Sequence, residues 1–280
     1  MEQEQALRAR IASLTELRGL FQALRVLAAS RLQEALAALP GIRAYSDIVT
    51  EALADGRALD PPGLASGEDG AAALIVICAE HGFVGGLNAA LLDEASTSRR
   101  PDEALIVTGK RGGALAAERG MAPALVLPAA THVSGVTDVT HDLAAALAGR
   151  SSVRAVFGRH ERGGGYAVAA RRVLPPDPSA DTAPGRPQPP GPHRAPPLVQ
   201  LPPADLLAAL EREYLFAALS QALMESFASE NAARLRVMEA ADRSIADKLD
   251  RLARVENEIR QEAITSELLD VATGAQAILG

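Results

Sequence analysis

Few residues in this chain could do chemistry, and they are scattered. The turn at 81–86 follows an apolar run and precedes a helical pattern, which is where a phosphate-cradling loop belongs. Its residues, His81-Gly82-Phe83-Val84-Gly85-Gly86, lack both the G-x-G-x-x-G spacing and the lysine-hydroxyl ending of a P-loop. Gly109-Lys110-Arg111-Gly112-Gly113 fails the same test. Glycines at a tight strand-to-helix turn answer a need of backbone geometry alone. The five histidines (81, 132, 141, 160 and 193) form no Cys/His pair with metal-ligand spacing. His141-Asp142 follows Thr140 near a helix start, where capping and dipole effects account for it. No G-x-S-x-G elbow is present for Ser-His-Asp catalysis. The single cysteine, Cys78, excludes an internal disulfide and reads as a small buried thiol within the apolar run 74–78. None of these sets is complete, so the residues give no catalytic residue, no metal and no cofactor to expect.

Composition points to helices. Of 280 residues 57 are alanine, while only five Phe and three Tyr supply aromatic area and Trp is absent. Alanine has the best helix propensity, and strands favour the aromatic and β-branched residues that are scarce here. The net charge of −7 and the lack of a basic stripe exclude a general nucleic-acid binder. No apolar run reaches the roughly 18 residues that span a bilayer. The charged start MEQEQALRAR lacks the apolar stretch of a signal peptide.

The chain divides into stretches of different texture. Residues 3–57 read as helix, with Leu7, Leu14, Leu17, Phe21, Leu24 and Ala28 at coiled-coil spacing and a break or bend expected at Pro40-Gly41. Residues 56–70 read as a linker. Residues 71–173 alternate, with strands at 71–78, 104–108, 124–127, 153–157 and 166–173 and helices at 87–98, 111–119 and 136–148. Such alternation predicts a mainly parallel sheet with helices on its faces. Residues 174–203 hold 12 of the 18 prolines and read as an exposed, polyproline-like insertion, with strand form possible again at 198–201. From Ala204 onward no proline occurs, and Met238, Ile245, Leu252 and Ile259 repeat at strict sevens. One helix of about 75 residues, on the order of 110 Å, is expected. Its only same-chain partner with a matching stripe is the N-terminal helix. The predicted fold class is an antiparallel two-helix coiled coil made from both chain ends, with an inserted Rossmann-like α/β domain. The boundaries are 1–57, 71–203 (with the insertion at 174–197) and 204–280.

Residues late in the chain carry a resemblance. Ile264-Thr265-Ser266-Glu267-Leu268-Leu269-Asp270-Val271-Ala272-Thr273-Gly274-Ala275-Gln276-Ala277 resembles the signature of the gamma subunit of F-type ATP synthases. Asn257, with Arg260-Gln261, is similar to the family's Asn-x-x-Arg-Gln. Ser229-Glu230-Asn231-Ala232-Ala233-Arg234 resembles its Ser-Glu-x-x-Ala-Arg, and Val237-Met238-Glu239-Ala240-Ala241 its Ala-Met-x-x-Ala. Gly82-Phe83-Val84-Gly85-Gly86-Leu87-Asn88 looks like its Gly-Leu-Cys-Gly-Gly-Leu-Asn loop, and Ala28-Ala29-Ser30-Arg31 like its Ala-Ala-Ser-Lys. Departures accompany these matches: residues 1–59 hold seven Arg and seven acids where the family is rich in Lys, and Glu80-His81 stands where Asp and a basic residue are usual.

The resemblance implies a central-stalk rotor, a non-enzyme that binds no nucleotide itself. It implies alpha and beta subunits around the coil, an epsilon subunit and a c-ring at the α/β domain, and a peripheral place on the cytoplasmic face of the bacterial inner membrane. It sets Arg260 and Gln261 against an acidic catch loop of the beta subunit, where a guanidinium forks onto carboxylate with directional bonds. Thr265 and Glu267 extend that polar face, and Leu24 and Arg31 are further partner-binding positions. Two other readings remain open on the residues alone: a non-rotary paralogue acting as an interaction protein, and a small-molecule enzyme using the 82–86 loop.

Overall fold

The computed structural model describes residues 2–59, 71–161, 163, 165–176 and 198–279, with side chains for all of these except 2, 3, 267 and 270–279. Most of the linker and of the proline-rich stretch lies outside the described residues. The elements run α1 (Glu2–Ala58), β1 (Ala71–Ile77), α2 (Leu87–Ser98), β2 (Glu103–Thr108), α3 (Lys110–Glu118), β3 (Leu125–Leu127), α4 (Gly135–Ala146), β4 (Arg150–Glu161), β5 (Gly165–Leu174) and α5 (Pro203–Leu279). Every expected helix and strand between 71 and 174 is present. Residues 198–201 do not regain strand form; they are irregular.

The chain forms two compact units. One joins Met1–Leu27 to Leu235–Gly280, and the other is Ala28–Arg234. In the first, α1 and α5 pair directly. Arg8 Nε donates to Glu256 Oε1 at 3.1 Å, Arg18 Nε to Asp242 Oδ1 at 2.9 Å and Gln22 Nε2 to the same oxygen at 3.1 Å. Numbers rise on one helix as they fall on the other, so the pair is antiparallel. Met238 and Ile245 are buried, and Phe21 and Leu24 half-buried. Leu17 departs from the expected stripe and is 41% exposed. The seam runs through Leu7, Ile11, Leu14 and Phe21, and Arg18 takes the position between the last two to reach Asp242. A seam spaced by alternating fours and threes leaves position 17 facing water.

In the second unit, the sheet has the order β3-β2-β1-β4-β5. β1 is parallel to β2 and β4, and β2 to β3, while β5 returns antiparallel along β4. A parallel sheet must be covered on both faces, which is why β1 reads as an unbroken apolar run. On one face Leu74, Val76, Leu105 and Val107 pack with Leu87, Leu91 and Leu92 of α2 and Ala116 of α3. α1 continues through Pro40 without a break. Proline lacks the N–H that would bond Leu36, but both residues are exposed, so water can take the freed carbonyl. The two long helices are antiparallel here too: the Arg43 guanidinium bonds Glu225, and Arg57 Nη2 lies 3.5 Å from Glu211 Oε1.

The α5 segment 222–234 is buried at thirteen successive positions, all round the helix. Gly158 of β4 lets it approach, since a Cβ there would fall 2.9 Å from that of Ser229. Ser226 Oγ donates to the Ile77 carbonyl at 3.0 Å. Among the described residues, no helix is long and apolar enough to cross a membrane.

Candidate functional site

The carboxyl ends of the parallel strands, where α/β folds usually take ligands, are filled by the chain's own carboxylates. Glu80, nine-tenths buried, lies just after β1. Its Oε2 accepts the backbone N–H of Lys110 (3.1 Å), at the start of α3, and of Ala129 (2.9 Å), past β3. These donors are the kind a bound phosphate would need. Gly109 adopts φ +92°, and a Cβ there would lie 2.5 Å from the Cys78 carbonyl oxygen, so the 109–113 glycines serve close backbone packing. The neighbouring Gly86 opens α2 with no side-chain cap bond. Among the described residues, no group of three His, Cys, Asp or Glu is placed to hold a metal.

Behind this edge lies a polar network that periodicity does not single out. Arg234 Nη2 donates to Glu230 Oε1 at 2.6 Å and reaches the Gly82 carbonyl at 3.4 Å; its Nη1 donates to Asn231 Oδ1 at 3.3 Å. Glu230, Asn231 and Arg234 are all buried. Burial pushes the Glu230 carboxyl above the usual carboxylate range, and the Arg234 charge and hydrogen bond partly offset it. Five residues earlier, Glu225 accepts Arg43 Nε at 3.1 Å and the backbone N–H of His160 at 3.3 Å. Burial, with the Glu230 charge adding to it, lifts the Cys78 thiol to about 12, so it is inert at neutral pH. The signal was present in the sequence: Glu230 and Arg234 stand at i,i+4 spacing within the Ser-Glu-x-x-Ala-Arg match. Their burial, which decides their role, has no local signature.

A second buried pair closes the other end of the sheet. Arg154 forks onto Glu103, Nε to Oε1 at 2.7 Å and Nη2 to Oε2 at 2.8 Å. Burial alone would raise the Glu103 carboxyl, but the Arg154 hydrogen bond and charge, with the Arg100 N–H, hold it below its ordinary value.

The residues expected to meet a partner sit elsewhere. Arg260, in the unit of Met1–Leu27 and Leu235–Gly280, is 54% exposed at its side chain, and its Nη2 stays 3.8 Å from Glu256 Oε1, a loose approach. Glu256 already takes the Arg8 bond, so the Arg260 fork has most of its donors free for another acceptor. Gln261 is exposed, and its backbone carbonyl accepts the Thr265 hydroxyl at 2.8 Å. Ile264 and Leu268 beside them are 51% and 65% exposed, an apolar complement to the polar face. The Glu267 side chain lies outside the described residues. Leu24 is half-buried in the same unit, but pairing places it near Asp242 through Gln22, eighteen residues from Arg260 and so about 27 Å along the helix. Arg31 belongs to the other unit, half-buried, and its charge acts on Glu230. Within that first unit, Leu24 is therefore not brought together with Arg260 and Gln261.

The two ends of the chain form long helices that pair antiparallel, and a five-stranded mixed sheet whose carboxyl edge is filled by Glu80 is inserted between them in sequence. Comparison with known proteins gives the class of this fold. A family model described as ATP synthase matches residues 3–278. The ATP synthase gamma chain of Frankia casuarinae is 31% identical over 291 residues, spanning 97% of this chain and 96% of the relative. That of Paracoccus denitrificans is 29% identical, spanning 97% and 98%. Among solved structures, a chain of the Euglena gracilis mitochondrial ATP synthase rotor superposes with a TM-score of 0.62 at 14% identity, covering 94% of this chain and 99% of that one. This chain belongs to the ATP synthase gamma-chain family. It is a non-catalytic subunit of the complex.

Proposed function

We propose that rotation is passed to the catalytic subunits through the distal part of α5, with Arg260 and Gln261 meeting an acidic loop of the beta subunit at set angles of the turn. The observation that carries this reading is the exposed, underused guanidinium of Arg260 on an exposed stretch of the helix, with Ile264 and Leu268 exposed beside it. A fork that can bind carboxylate bidentately suits a contact that forms and releases with orientation. Thr265, Glu267 and Leu24 act as further contacts to the surrounding alpha and beta subunits, and Arg31 as one nearer the α/β domain. That domain, residues 71–203 with its insertion at 174–197, rests with an epsilon subunit on a c-ring, while 1–57 and 204–280 form the shaft. Ion flow turns the ring, and each shaft orientation favours a different conformer at each beta site, so that rotation shifts populations in sequence. The complex sits at the cytoplasmic face of the bacterial inner membrane. Purification of the chain with its native partners tests the assembly: alpha, beta, epsilon and c subunits are expected together, and their absence would point to a non-rotary paralogue.

A further inference from the structure

In a rotor, torque applied at the α/β domain must enter the helices, and only two covalent connections carry the chain out of the unit Ala28–Arg234 into the other: α1 at Ala28 and α5 at Arg234. Apolar packing gives cohesion but is non-directional. Resisting twist of a helix about its own axis takes bonds with defined angles.

α5 carries such bonds along its buried stretch, and they reach α1, the ends of β1 and β4, and the turn beyond β1. Ser226 Oγ donates to Ile77 O in β1 at 3.0 Å. Glu225 joins the Arg43 guanidinium of α1 to the His160 N–H of β4. Arg234 bonds Glu230, Asn231 and the Gly82 carbonyl beyond β1. Two residues before Gly82, Glu80 fastens the same turn to the chain after β2 through Lys110 N–H and after β3 through Ala129 N–H. A run of apolar residues of similar volume would fill this space at no loss of stability, and replacing buried ion pairs in that way is often stabilising. Buried charges with complete hydrogen bonding instead fix one geometry.

We propose that Glu225, Ser226 and Arg234 form a torque anchor, a buried polar clamp that locks α5 against rotation and sliding relative to the sheet, with Glu230 holding the Arg234 fork in place from within α5. Twist applied at the sheet is then passed into α5 and is not absorbed where the helix is seated. They are positioning residues, acting through the helix and touching no substrate. The inference rests on the rotor reading of the chain, and its test separates the two.

The test uses the complete ATP synthase in vesicles. Glu230→Gln with Arg234→Met removes both charges while keeping volume, and Arg234→Lys keeps the charge without the fork. For each, ATP synthesis driven by an ion gradient is compared with ATP hydrolysis in its absence. The double variant is expected to assemble and hydrolyse ATP near the wild-type rate, while its synthesis-to-hydrolysis ratio falls roughly tenfold, the scale of one hydrogen bond to a charged group. Arg234→Lys should recover part of the ratio. A ratio equal to wild type in the assembled double variant overturns the anchor. Should the double variant not assemble, Glu225→Gln stands in its place, and an unchanged ratio there overturns the anchor equally. A wild-type complex that does not couple the two reactions at all sinks the rotor reading itself.

Discussion

Two stretches of the same helix differ sharply. Residues 222–234 of α5 bury Glu225, Ser226, Ser229, Glu230, Asn231 and Arg234 at successive turns: Glu225, Ser226 and Arg234 bond α1, the sheet or the turn beyond β1, Ser229 packs against Gly158, and Glu230 and Asn231 bond within α5. Residues 254–266 are mostly exposed, and among the described residues Arg260 there has only one distant carboxylate. The polar residue types are much the same. Their environment separates a group that fixes structure from a group left open to a partner. Buried charges are kept only when paired, and those of the first stretch are, Glu230 with Arg234 and Glu225 with Arg43 of α1. An exposed pair contributes little to stability, so the second stretch is free to be shaped by what it binds.

The largest effect should come from breaking the buried stretch. Glu230→Ala leaves the Arg234 guanidinium buried and unpaired, and should cost about 3–5 kcal/mol of folding stability in denaturant titration. Replacing both partners, Glu230→Leu with Arg234→Met, should recover much of that loss. If the single variant were as stable as wild type, the network would not be the dry, paired cluster its geometry indicates.

The next effect depends on pH. The folded Glu103 carboxyl sits below its ordinary value, so its stabilising contribution is present above the unfolded value of about 4.3 and is lost as pH falls through the folded one. Glu103→Gln should therefore flatten the acid limb of the stability curve below about pH 4 while lowering stability at neutral pH. Glu230 has the opposite sign, since its raised carboxyl favours folding most at low pH and less as pH rises through the folded value. Chemical denaturation of the two Gln variants across the acid range would separate them, and parallel curves would refute the contrast.

On the exposed stretch, Arg260→Ala with Gln261→Ala should change stability by no more than about 0.5 kcal/mol, yet lower coupled ATP turnover in the reconstituted complex. Unchanged turnover would remove their proposed role. The smallest effect is expected from deleting residues 177–195: complex assembly should be intact by size-exclusion chromatography, and loss of assembly would make that segment a binding element.

Much of this architecture was legible in the sequence because periodicity encodes burial on one side. The apolar run at β1 and the alternation from 71 to 173 located the sheet and its helices, and the sevens from Met238 to Ile259 located α5. Pro40 misled, because an exposed proline in a long paired helix costs one backbone bond that water replaces. Leu17 misled because leucine alone does not set the seam; Arg18, through Asp242, occupies it. The buried network was not legible, since a helix wrapped on all sides has no polar face to read. Residues 204–280 hold fourteen acidic and eight basic residues, and pairing with α1 accounts for part of the excess. Glu211, Glu213, Glu225, Asp242 and Glu256 face Arg57, Tyr45, Arg43, Arg18 and Arg8 of α1, so part of the surplus on one helix is matched to donors on the other.

The most direct measurement is single-molecule rotation. With the catalytic subunits fixed to a surface and a probe on the α/β domain of this chain, ATP hydrolysis should turn the probe stepwise and in one direction. Steady hydrolysis with a stationary probe would contradict a rotor.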